Sequence, residues 1–195
     1  MAIKENTAVT EALLKEGQPE QVILATGGQK IIPDIPGIDQ PQVCDAWQIL
    51  SESIKPGGNV LVVGGGLIGM EAADFLSEKG VKVTLVEMLK RSPVNKITSH
   101  GYMLHTRLKE KGCRLLFNTV LKSVGDGSVE IETEGEKNTL APIDQVVIAV
   151  GLKPNDNLKA TLDSLKIPYT VVGDALRPRR IIEAVEEGAR AAWEL

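Results

Sequence analysis

The apolar positions of this chain fall into short blocks separated by glycine-rich or charged turns, and the period of the blocks changes along the chain. Residues 59–63, NVLVV, form an unbroken β-branched run after Lys-Pro-Gly-Gly, the pattern of a strand buried on both faces of a parallel sheet. After the glycines that follow, Met70, Ala72, Ala73, Phe75 and Leu76 supply a helical apolar face and Gly80 stops it. Residues 81–86, VKVTLV, then give a second strand that ends at Glu87. Ser99 is placed to cap another helix, HGYMLHTRLKEK, which Gly112 closes, and CRLLF gives a third strand. Beyond it TVLKSV, SVEIET and NTLAP, parted by GDG and EGEK, predict a small antiparallel meander, and residues 145–149 return as a buried strand. The pattern predicts an α/β fold: a three-layer Rossmann-like nucleotide-binding domain with a β-meander, over residues 55–154.

A near-repeat extends this reading. Residues 21–28, QVILATGG, recur at 145–152 as QVVIAVGL, and each copy follows an Asn-Thr signal, NTAV at Asn6 and NTVL at Asn118. A whole glycine-turn unit precedes the second signal, whereas five residues precede the first. The repeat predicts two related Rossmann-like domains, one complete and one lacking its glycine loop. The tail supplies the rest of the truncated domain. It reads as a strand at 169–172, a Gly173-Asp174 turn, and an amphipathic helix after Pro178 with Ile181, Ile182, Ala184, Val185, Ala189 and Ala192 on its apolar face. Arg179 and Arg180 open that helix, so basic side chains and a helix N-terminus converge on the turn, a shape suited to a phosphate or an anionic ring edge. The expected organisation is therefore 1–54 and 155–195 as two parts of the incomplete domain, with 55–154 between them. The incomplete domain should leave apolar surface open, which dimerisation or rearrangement would cover.

Composition narrows the classes. At 195 residues, 43% hydrophobic, 25% charged and a net charge of -4, the chain is an ordinary globular sequence with room for one or two cores. Without clustered Lys and Arg it lacks the footprint of a nucleic-acid binder. No apolar run approaches the ~20 residues that span a bilayer, and the start has no basic segment leading into an apolar one, so a cytoplasmic protein is expected. Cys44 and Cys113 form no C-x-x-C, and read as small buried hydrophobes. His100 and His105 are five apart, off a common helix face, which disfavours a metal pair.

The candidate chemistry lies in the turn between the first two strands of the complete domain. Gly64, Gly66 and Gly69 stand in G-x-G-x-x-G spacing, preceded by a strand and followed by a helix and a second strand. The first glycine permits a tight turn, the second lets the backbone approach a pyrophosphate, and the third lets helix and strand pack closely. The pyrophosphate would rest on the helix N-terminus, on the Gly64, Gly65, Gly66, Leu67 and Ile68 backbone. Glu87, eighteen residues after Gly69, stands where a carboxylate accepts hydrogen bonds from the adenosine ribose hydroxyls. A carboxylate there repels a 2′-phosphate and favours NAD(H), while Lys90 and Arg91 just beyond it keep NADP(H) open.

VVGGGLIGMEAADFL, the two Ala-x-Gly strands and VVGDALRPRRIIEAVEEGARAA together resemble the FAD/NAD(P)-binding part of pyridine-nucleotide flavoproteins. The nearest likeness is to the C-terminal region of the NADH:flavin oxidoreductases related to 2,4-dienoyl-CoA reductase, enoate reductase and trimethylamine dehydrogenase. In such proteins the FAD domain is discontinuous and the NAD(P) domain is inserted after its Ala-Thr-Gly strand. The resemblance implies that Ala25, Thr26 and Gly27 line the FAD side, that Gly173 and Asp174 meet the ribityl chain, and that the helix from Arg180 and Ile181 aims at the isoalloxazine. It places Glu71 and Gly151 near the nicotinamide. It also implies an upstream barrel with FMN and an iron–sulfur cluster, hydride passing from NADH to FAD and electrons onward to FMN to reduce an activated C=C bond. None of that upstream chemistry is in these residues, so the chain reads as a fragment that does not turn over alone. A disulfide reductase of the glutathione- or thioredoxin-reductase kind shares the fold, and a non-catalytic ADP-binding module shares the glycine loop.

Overall fold

The computed structural model describes residues 2–195. The chain begins with α1 (Glu11–Gly17), β1 (Val22–Leu24), β2 (Gly28–Lys30), β3 (Val43–Asp45) and α2 (Ala46–Leu50). It continues through β4 (Asn59–Val63), α3 (Leu67–Glu78), β5 (Lys82–Val86), α4 (Ser99–Glu110) and β6 (Arg114–Leu116). Then come β7 (Thr119–Val124), β8 (Val129–Thr133), β9 (Glu136–Leu140), β10 (Gln145–Ile148) and β11 (Leu152–Pro154). The chain ends with α5 (Lys159–Leu165), β12 (Tyr169–Val171), a 3-10 turn at Gly173–Ala175 and α6 (Ile181–Trp193).

Two compact units result: Ile31–Gly151, and the residues up to Lys30 together with Leu152–Leu195. In the first, a five-stranded parallel sheet runs in the order β3-β10-β4-β5-β6. Because successive side chains on a strand alternate in direction, β4 feeds two cores at once. Val60 and Val62 pack with Met70, Ala73 and Leu76 of α3 and Leu104 and Leu108 of α4, whereas Leu61 and Val63 pack with Leu121, Val124, Val129 and Ile131 of the meander. Helices, sheet and the β7-β8-β9 meander are thus the three layers the apolar pattern called for. The boundary differs from the expected 54/55, since residues 31–54 belong to this unit. Val43, Cys44 and Asp45 pair in parallel with Val146, Val147 and Ile148, and Ala46 and Ile49 are buried in the helix-side core.

Helices α3 and α4 are also joined by charge. The buried Asp74 carboxylate takes Arg107 at 2.7 Å and Lys111 at 3.0 Å. Burial pushes the Asp74 pKa up, but the hydrogen bonds and charges of the two cations outweigh it and hold the carboxyl below its ordinary range. The cap of α4 is Thr98, one residue earlier than expected, because its Oγ1 reaches the Gly101 N–H at 3.1 Å while Ser99 lies inside the first turn.

The second unit is thin. Strands β1 and β12 form a two-stranded parallel sheet with Leu24 opposite Val171, and β2 and β11 form an antiparallel ribbon. Its buried core is Leu14, Leu24 and Leu162, ringed by partly buried neighbours that include Val22, Ile167 and Val171. Helix α6 leaves most of its expected apolar stripe open. It buries Ala191, while Ile181, Ile182 and Val185 are 84%, 65% and 65% exposed.

Candidate functional site

The glycine turn is built by steric necessity at two of its three motif positions. Gly64 has φ +109°, and a Cβ there would stand 2.4 Å from the Ala149 carbonyl oxygen. A Cβ on Gly69 would stand 1.9 Å from the Gly64 carbonyl oxygen, so only glycine lets α3 press against the turn. Gly66 is different. Its φ of −71° and ψ of −179° suit any residue, and a Cβ there would meet nothing within 4 Å. The chain itself gives no reason for glycine at 66, and the open space there fits a ligand passing close to the turn.

Gly66 also begins α3 without a side-chain cap, whereas Thr10, Asp45 and Thr98 cap α1, α2 and α4. The first-turn N–H groups of Leu67, Ile68 and Gly69 therefore lack the side-chain acceptor that α1, α2 and α4 carry, and with the dipole they favour an anion. Glu87 lies beside them, 6% exposed, at the end of β5. Its Oε2 accepts the Gly65 N–H at 2.6 Å and its Oε1 accepts the Leu89 N–H at 2.9 Å. The carboxylate is thereby fixed before any ligand arrives.

These groups open on a largely apolar cleft of about 460 Å³, a size suited to part of a cofactor. Gly64, Gly66 and Glu87 line it together with Thr119, Val120 and Gly151, and Ile31, Pro33 and Ile35 close one side. The last three were missed in the sequence, where no period or motif singles out loop residues that serve as a wall. Lys90 and Arg91 do not line this cleft. They face a separate hollow of about 850 Å³ with Lys96 and His105. Glu71 is half-exposed on α3, its Oε1 3.4 Å from His100 Nε2, and Gly151 turns with φ +107°.

The residues expected on the flavin side lie in the other unit. Ala25 and Thr26 follow β1 and are exposed; the Thr26 hydroxyl donates to the Asn155 carbonyl at 2.7 Å, and the Asn155 N–H donates to the Gly27 carbonyl at 3.0 Å. Gly173 follows β12, with φ +62° and its N–H donating to Glu187 at 2.8 Å. In-register pairing of β1 with β12 brings these two turns to the same end of the sheet. Asp174 Oδ1 accepts the Arg179 N–H at 3.1 Å. Arg179 pairs with Glu187 and Arg180 with Glu183, so the two guanidinium groups are neutralised by acids of α6 rather than left for an anion. The Arg179 hydrogen bond and the Gly173 N–H hold the Glu187 carboxyl below its ordinary range.

Neither thiol is poised for redox work. Burial, with the nearby Asp45 charge, pushes Cys44 up to about 12, and burial also raises Cys113. No helix among the described residues is long and apolar enough to cross a membrane.

Strand, uncapped glycine turn, helix and the acid that follows the next strand thus stand together on one cleft, and comparison with known proteins places the chain in a family. Residues 3–180 match the family described as pyridine nucleotide-disulphide oxidoreductase. The chain belongs to that family. Among curated relatives of this pyridine nucleotide-disulphide oxidoreductase chain is a bilirubin reductase of Mediterraneibacter gnavus, 37% identical over 95% of this chain and 29% of that protein. Another is an NADH oxidase of Thermoanaerobacter brockii, 33% identical over 91% of this chain and 28% of that protein. Among solved structures, a 2-naphthoyl-CoA reductase in complex with 2-naphthoyl-CoA superposes with a TM-score of 0.86 at 26% identity, over 97% of this chain and 29% of that one. The resemblance read from the motifs therefore holds, and so does the Rossmann-like fold class. The chain spans less than a third of the length of these relatives.

Proposed function

We propose that this chain is the NADH-docking portion of an FAD-dependent oxidoreductase. The observation that carries the reading is Gly66, a glycine with ordinary dihedrals and open space where its side chain would be, at the start of an uncapped helix. Gly64, Gly66 and Gly69 shape the turn, the Leu67 and Ile68 N–H groups receive the diphosphate, and Glu87 accepts hydrogen bonds from the adenosine ribose. Glu71 and Gly151 lie toward the nicotinamide. NADH rather than NADPH is favoured because the buried carboxylate of Glu87 lines the cleft while Lys90 and Arg91 line another hollow.

Ala25, Thr26, Gly27, Gly173, Asp174, Arg180 and Ile181 form one wall for FAD, and the glycine loop of that half lies outside this chain. Flavin, when bound, supplies a two-electron acceptor for the nicotinamide hydride. The residues of this chain bind and orient the dinucleotide, and keep its ribose end on Glu87. In the full-length protein we place an upstream barrel with FMN and an iron–sulfur cluster, and reduction of an activated C=C bond, in keeping with two relatives named as reductases.

Calorimetric titration with NADH, NADPH and ADP tests this reading. NADH should bind at least tenfold tighter than NADPH, and Glu87→Ala should weaken NADH by about tenfold to a hundredfold, the worth of hydrogen bonds to a charged acceptor. Equal affinity for the two cofactors removes the NADH assignment, and no dinucleotide binding removes the function. Binding of ADP with no added affinity from the nicotinamide half makes the chain an ADP-binding module.

A further inference from the structure

Gly65 is gripped on both sides by the stretch that follows β5. Its N–H donates to Glu87 Oε2 at 2.6 Å, and its carbonyl accepts from the Ser92 hydroxyl, also at 2.6 Å. Ser92 Oγ in turn accepts the Val94 N–H at 3.0 Å and lies 3.0 Å from the Met70 sulfur. A hydroxyl has one proton to give, and a backbone carbonyl is a much better acceptor than a thioether, so that proton is committed to Gly65. The peptide joining Gly65 to Gly66 is planar and trans, which sets its N–H opposite its C=O. With the carbonyl tied back to Ser92, the Gly66 N–H is turned away from that loop, and Gly66 lines the cleft beside Glu87.

We propose that Ser92 is a positioning residue of the dinucleotide site, which aims the Gly66 N–H at the diphosphate by fixing the Gly65 carbonyl. The inference rests on the dinucleotide reading above and adds a residue outside its glycine motif. Ser92 belongs to the loop beyond Glu87, where it is half-buried against the turn it orients. Glu87 and Ser92 thus divide the work: one holds the N–H of Gly65 and receives the ribose, the other holds the carbonyl and sets the donor for the diphosphate.

The test titrates NADH, ADP and adenosine into the full chain and into its Ser92→Ala and Ser92→Thr variants. Ser92→Ala should weaken NADH and ADP about tenfold, the worth of one hydrogen bond to a charged group, with adenosine changed less than twofold. Ser92→Thr, which keeps the hydroxyl, should restore most of the loss. Unchanged ADP affinity in Ser92→Ala, or an equal loss for adenosine, overturns the proposal, the second because it marks a loosened site rather than a misaimed donor. Should Ser92→Ala fail to fold, the wild-type Gly66 amide resonance decides: it should move downfield with ADP and not with adenosine, and an unmoved resonance overturns the proposal. A wild type that binds neither NADH nor ADP removes the dinucleotide reading itself, whereas normal wild-type binding with an indifferent Ser92→Ala removes only the role of Ser92.

Discussion

The two units treat the same device, a strand ending in a glycine turn before a helix, in opposite ways. After β4 the turn leaves its helix uncapped and fixes a carboxylate beside it, so backbone donors and an acceptor both remain for a ligand. After β12 the turn is answered from within: Glu187 takes the Gly173 N–H and Arg179, and Glu183 takes Arg180. The cores differ in the same direction. The sheet of Ile31–Gly151 is covered on both faces by its own helices and meander, whereas the other unit buries Leu14, Leu24 and Leu162 and leaves the isoleucines of α6 in solvent. A glycine turn becomes a binding site when the chain declines to satisfy it, and a unit becomes self-sufficient when its apolar faces find partners in the same chain.

The largest expected effect separates two glycines of one motif. Gly69→Ala drives a methyl group to within 1.9 Å of the Gly64 carbonyl oxygen and should cost on the order of 3 kcal/mol of stability, read from the urea midpoint. Gly66→Ala places its methyl group where no other part of the chain stands within 4 Å and should change stability by less than about 1 kcal/mol, yet lower NADH affinity by about a hundredfold by filling the cradle. If both variants unfold alike, the turn is structural throughout; if both fold and bind, the cradle holds no diphosphate.

The next effect concerns the charge joint between α3 and α4. Asp74 has a lowered pKa in the folded chain, so its contribution is complete above the ordinary carboxylate range and fades as pH falls through the folded value. Asp74→Asn should cost about 2 kcal/mol at pH 7, since Arg107 and Lys111 lose a buried partner but keep access to water. The gap between wild type and variant should close under acid conditions, and a gap that stays constant from pH 7 to pH 3 would show that packing, not charge, joins the helices.

The sequence made the larger unit legible because its strands are buried on both faces and its helices on one, so each apolar block carries a period. It also made Gly64, Gly66, Gly69 and Glu87 legible, since local spacing alone relates a turn to the acid at the next strand end. Ile31, Pro33 and Ile35 were hidden because a loop wall has no period, and Ser92 because a hydroxyl that holds a neighbouring carbonyl looks like any loop serine. Strand β3 was assigned to the wrong side of the boundary for a related reason. Three residues that pair in the sheet only with Val146, Val147 and Ile148 leave no local trace of that pairing. The apolar stripe of α6 was read correctly as a stripe, but a pattern reports that a face seeks a partner and not whether the chain contains one.

That last point sets the smallest expected effect on stability. Ile182 and Val185 are both 65% exposed, so Ile182→Ser with Val185→Ser removes little buried surface and should shift the unfolding midpoint by no more than about 0.5 kcal/mol. The same pair should reduce binding of a hydrophobic dye and any self-association seen in sedimentation, because contiguous apolar residues in water are what such probes report. If the double variant instead loses several kcal/mol, the stripe is already covered in solution by a second copy or by a rearranged segment, and the second unit is more self-sufficient than its small core indicates. If stability, dye binding and sedimentation are all unchanged, the exposed stripe is inert in this chain by itself, and a partner for α6 has to be sought outside it.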